Sequence, residues 1–169
     1  MLRGNLVWGL LTDNVKMSDG KGIFDTTHGN LLSGTSSALS ETSLAAAKTA
    51  MMKQKDIAGQ IIRMVSRYLV VSPENEMMAK KLITATTPTK SADVNVFAGA
   101  FDVIVEPRLT DPAAWYLMAD PYAVDSLYYA YLEGNEGLRV DSTEEFKTDS
   151  MDYAVRGDFG AAAIDYRGI

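Results

Sequence analysis

A chain of 169 residues with 47% apolar side chains is long enough for one ordinary domain and its core. It has no cysteine, which excludes a disulfide framework, a thiolate metal site and cysteine catalysis. Its formal net charge of -6 argues against a sequence-specific grip on nucleic acid, because binding phosphates calls for a basic stripe.

Taken in chain order, the first apolar run, LVWGLL at 6–11, follows Arg3 but is too short for a signal peptide and lacks a small-residue cleavage site. No other run approaches the roughly 20 apolar residues of a membrane span, so the expectation is a soluble, intracellular chain with no membrane partner. The first dozen residues read as the tail of a helix. Residues 12–40, rich in Gly, Ser, Thr, Asn and Asp, predict a long connecting arm or loop. Ser40 is a suitable N-cap, and Leu44, Ala47 and Met51 recur at helical spacing, which predicts a helix over 41–54.

Two β-branched runs follow, Ile61–Val65 and Arg67–Val71, both expected as strands, the second apolar enough to be buried on both faces. Ser72 and Pro73 then open a helix running to about Ile83, with Glu74 and Glu76 at its start and Lys80 and Lys81 near its end. Thr84–Asn95, interrupted by Pro88, predicts an exposed loop. Phe101, Val103 and Val105 alternate with Asp102 and Glu106, and WYLMA (115–119) and LYYAYL (127–132) add two strands. The second half is mainly sheet, and the fold class is α+β.

Near the end, Met151, Tyr153, Val155 and Phe159 share one parity, the pattern of a half-buried strand. Arg156-Gly157-Asp158 spells an adhesion tripeptide, but on such a strand Arg156 and Asp158 lie side by side along one face instead of on a protruding turn. The apolar phase changes after Phe159, which places a bulge or bend at Gly160.

His28 is the only histidine. Any Ser-His relay has to use it, yet no nucleophile-elbow pattern accompanies it, and a loop histidine bonded to nearby backbone is the plainer reading. Gly20-Lys21-Gly22 lacks the rest of a phosphate loop and reads as a turn. Asp13, Asp19 and Asp25 match no calcium loop, and Asp141, Glu144 and Glu145 read as a solvated turn. Spacing selects no carboxylate pair. The sequence therefore assigns no catalytic, cofactor-binding or metal-binding residue; the enzyme alternative is a hydrolase using His28 or a carboxylate pair.

Several long blocks resemble the major capsid (head) proteins of Mu-like tailed phages and prophages: DGKGIFDTTHGNLLSGTSSALSETSLAAAKTAMMKQKD (19–56), RYLVVSPENEMMAKKLITATTPTKSADVNVFAGAFDVIVEPRL (67–109), AWYLMADP (114–121), YYAYLEGNEG (128–137) and VRGDFGAAAIDYRG (155–168). The resemblance implies the Hong Kong-type capsid fold, mainly its axial domain plus part of the peripheral-domain sheet. On that reading residues 1–40 are the end of a spine helix and an extended arm, 41–135 the axial domain core, and 136–169 strands returning to the peripheral domain. The 84–95 loop then points at a five- or six-fold axis. There is no room before residue 12 for the family's N-terminal arm, hairpin and full spine helix, which implies a fragment or processed form.

The implied role is a structural, non-enzymatic subunit of a DNA-enclosing head, located in the virion and partnered by copies of itself in hexamers and pentamers, with scaffold or protease acting during assembly. Nothing in the chain matches the upstream serine-type protease sometimes joined to such proteins. Tyr122, Tyr128 and Tyr131 are the candidate contact aromatics.

Overall fold

A computed structural model describes residues 2–34, 37–84 and 97–169. At its centre, strand β1 (Ser66–Val71) lies between β2 (Asp102–Val105), to which it is parallel, and β3 (Trp115–Ala119), to which it is antiparallel. A parallel neighbour requires a crossover. Here it includes a 3₁₀ turn, Pro73–Asn75, and helix α3 (Glu76–Ile83). The LVV run is buried on both faces, as expected, with Leu69, Val70 and Val71 all at 0% exposure.

Alternation on the sheet divides the interior into two cores. Leu69, Val71 and Leu117 face one way, against Leu44 and Met51 of α2 (Glu41–Met52), Ala79 of α3, Phe97 and Phe101. On the opposite face, Tyr116 and Met118 meet Leu11 of helix α1 (Leu2–Thr12), Ile23 of the arm and Ile169 at the end of the chain. The sheet is thus a partition with apolar packing on both sides.

Helix α2 starts where its sequence predicts, with Ser40 and Ser43 forming a reciprocal capping box. The arm over 13–34 is built of turns and one β-bridge, Lys16 to Gly22, yet it is anchored by Ile23 at 0% exposure. Gly20 takes the tight turn at φ 79°. Gly22 is required for a different reason: a Cβ there would meet the Asn14 side chain, which bonds the Phe24 N–H at 2.8 Å and its carbonyl at 3.0 Å.

Two smaller antiparallel pairs complete the chain. Strand β4 (Leu127–Tyr131) pairs with β7 (Phe159–Ala163), which packs on α1. Strands β5 (Arg139–Glu145) and β6 (Ser150–Arg156) form a hairpin of their own.

Five expectations need correction. Ile61–Val65 is not a strand: Arg63 sits at φ 48°, and the segment instead closes a tight loop through the Lys55–Ile61 bridge and the Asp56 side chain bonded to Gln60 N–H. Ser72 stands at the N-cap position of the 3₁₀ turn with Pro73 next, but its side chain makes no cap bond; it is buried, and its hydroxyl donates to Pro112 O at 3.1 Å. The break near the end falls at Gly157-Asp158, where the chain leaves β6 and enters β7 in another sheet. Gly160 is regular, paired with Ala130. Strand β6 is exposed along its whole length, not half-buried. Asp141, Glu144 and Glu145 are residues of β5, not a turn. The polar loop expected over 84–95 lies, from residue 85 on, outside the described residues.

Candidate functional site

His28 is the one residue the sequence offers as a catalytic base, and its surroundings give it another task. The side chain is buried, with Nδ1 3.1 Å from Ile23 O and Nε2 2.7 Å from an Asp19 carboxylate oxygen. The ring also stacks on Tyr166, with centroids 3.7 Å apart and planes 4° from parallel, and Gln54 donates to the His28 carbonyl at 2.9 Å. The Lys21 backbone N–H first, and the His28 ring second, hold the Asp19 carboxyl below the ordinary aspartate range. Both ring nitrogens are turned to partners within the fold. His28 pins the arm to the end of the chain, as Arg167 pins the 53–65 loop by donating to Lys55 O at 2.7 Å.

An open cleft of about 400 Å³ between α2, the arm and β3 is lined by Leu11, Phe24, Met51, Gln54, Trp115 and Tyr116, among others. Asp111 is its carboxylate, and His28 does not reach it. Burial, and secondarily the Asp111 charge, raise the Tyr116 hydroxyl above the ordinary range. Asp19 and Asp25 cap their own turns through the N–H groups of Lys21 and Thr27. Among the described residues no group of three or more potential ligands converges on a metal position. Nor is any described helix long and apolar enough to cross a membrane. Arg156 is the last residue of β6, with Nε 3.7 Å from Asp141, and Gly157 and Asp158 lie exposed between β6 and β7, so the tripeptide does not lie along one strand as expected.

The distinctive surface lies elsewhere. From Tyr128 to Asp158 every residue is exposed except Asp141. Within the hairpin, register puts Val140 opposite Val155, Ser142 opposite Tyr153 and Glu144 opposite Met151, so these six share one face. The other face carries Arg139, Arg156, Asp141 and Asp152, with Arg139 bonded to Asp141 at 2.8 Å. One side is thus an apolar row with a carboxylate at its tip end, and the other is a charged lattice. A two-stranded ribbon is marginally stable in water unless a third layer covers its apolar face. Sequence parity marked Met151, Tyr153 and Val155 as a face. It could not mark the face as bare, because alternation looks the same whether the cover comes from within the chain or from outside it.

Tyr122, Tyr128 and Tyr131 are all exposed, Tyr122 fully, while Tyr131 also packs on Tyr129 and Phe159. Among the described residues the most extended exposed feature is this patterned sheet surface. The family model described as phage capsid protein matches residues 2–169, and the chain belongs to that family. No curated protein matches the chain, and no solved structure does. Membership gives it a structural role in the capsid and a place in the virion.

Proposed function

We propose that the chain is the shell subunit of a Mu-like phage or prophage head, of the Hong Kong capsid type, self-associating into capsomers that enclose DNA. The observation that carries the reading is a capsid family match over nearly the whole chain joined to a long, exposed, amphipathic hairpin that finds no cover within the described residues. Shells of identical subunits need complementary patches on opposite sides of one chain, and exposed sheet supplies such patches without a reactive pocket. Residues 41–135 then form the axial domain and 136–169 the strands of the peripheral domain, joined by the β4–β7 pairing. On this reading a scaffold or protease is a further partner during assembly. The net charge of -6 favours a container that does not adhere to its cargo.

Sedimentation velocity and negative-stain electron microscopy of the purified chain test the proposal. The expected result is closed shells or pentamer and hexamer rings. A chain that stays monomeric at all protein and salt concentrations tried overturns it.

A further inference from the structure

Two exposed patches on this chain complement each other. The first is the hairpin region, residues 138–158, with three cations against six carboxylates, a net of -3. Its apolar row is Val140, Val155, Tyr153 and Met151, and Glu144 lies on that same face. The second is the loop over residues 53–65, with three cations against one carboxylate, a net of +2. Here Ile57 is 97% exposed, and Ile61 and Val65 are exposed too, with Arg63 between them in sequence and also exposed. Lys55 is bridged to Ile61 by backbone and is exposed, and Lys53, Lys55 and Arg63 form no ion pair among the described residues.

We propose that the apolar face of the β5–β6 hairpin docks on the 53–65 loop of a second copy of the chain, with Glu144 meeting Lys55 and Arg63. Three arguments select this occupant. Both patches are apolar and bare, so their contact removes exposed hydrocarbon on each side. Their charges are opposite, which steers the encounter and fixes its register. Hairpin against hairpin sets -3 against -3, and loop against loop sets +2 against +2, so the two self-pairings repel. Because the two patches differ, the contact is head-to-tail: each pairing leaves the loop of one copy and the hairpin of the other free, which builds rings or extended arrays instead of closed dimers. The loop is tied down by the Arg167 bond to Lys55 O and by Asp56 closing its turn.

The inference rests on the self-association proposed above and names the surfaces that carry it. Equal amounts of ordinary and ¹⁵N-labelled chain are mixed, treated with a zero-length carboxyl-to-amine cross-linker, and digested for mass spectrometry. The expected products are mixed-isotope peptides joining Glu144 to Lys53 or Lys55. In parallel, a Lys55→Glu/Arg63→Glu variant is expected to associate roughly 100-fold more weakly, and Glu144→Lys supplied as its partner to restore association. Unchanged thermal unfolding of each variant separates lost docking from lost folding. If the unmodified chain does not associate, the shell reading itself fails. If it associates but cross-links run hairpin to hairpin, or the charge-reversed loop associates normally, or the reversed pair stays apart, the docking proposal is overturned and the shell reading stands.

Discussion

The central sheet and the β5–β6 hairpin use the same alternating code in opposite ways. In β1 the two faces are both apolar and both covered, by α2 and α3 on one side and by α1, Ile23 and Ile169 on the other. In the hairpin one face is apolar and neither is covered. The lesson is that period-two patterning states which side chains belong together, whereas the energetic return on that grouping depends on what lies above them. Where the cover is within the chain the pattern stabilises the fold; where it is absent the same pattern is available for binding.

Four measurements bear on this contrast. Leu69→Ala opens a cavity in the partition and is expected to cost about 3–5 kcal/mol in urea unfolding; a loss under about 1 kcal/mol would show that the core is not where the sheet places it. Gly168→Val comes next, at about 1–3 kcal/mol, because a Cβ at that position runs into Val124 and Ser126 and the terminal segment has to shift. His28→Ala removes two hydrogen bonds and a stacked ring from the arm and is expected to cost roughly 1–3 kcal/mol while leaving any hydrolytic background unchanged. A drop in hydrolysis of the purified chain would revive the enzyme reading. The double change Val155→Ser/Met151→Ser in the hairpin is expected to move chain stability by only about 0.5 kcal/mol yet weaken association, the reverse of Leu69→Ala, as read by paired unfolding and sedimentation experiments.

Acid gives the smallest effect. The Lys21 N–H and then His28 hold the Asp19 carboxyl down, and the Thr27 hydroxyl and N–H do the same for Asp25. For Asp120 the causes are the Tyr122 N–H and then Arg67. A carboxyl whose folded pKa is depressed stabilises the fold above its unfolded pKa, and that contribution disappears as pH falls through the folded value. The arm is therefore expected to loosen below about pH 4. Fluorescence of Trp8, which packs on the cluster the arm completes, should respond there before β1 amides lose their exchange protection. Simultaneous loss of both signals would show that the arm and the sheet unfold as one unit.

Much of the fold was legible in local patterns because its causes are local. Ser40 names the start of α2, the Leu69-Val70-Val71 run names a strand buried on both sides, and the parity of Phe101, Val103 and Val105 names the inward face of β2. The 61–65 segment was misread for the complementary reason: β-branched composition favours a strand, but the Arg63 backbone and the Lys55–Ile61 bridge turn it into a loop. Ser72 suits a cap by type, and only the approach of Pro112, forty positions away, decides that its hydroxyl goes there.

The sequence by itself determined composition, most strands and helices, the reading of His28 as a loop histidine bonded to nearby backbone, and a resemblance to capsid proteins that the family match supports. Tertiary structure alone decided that His28 meets Asp19 and Tyr166, that the break between the last strands falls at Gly157-Asp158, and that the apolar row of the hairpin stands uncovered. The physical reason is range. Capping, parity and turn chemistry act over a few residues, but burial is a property of everything that comes near in space.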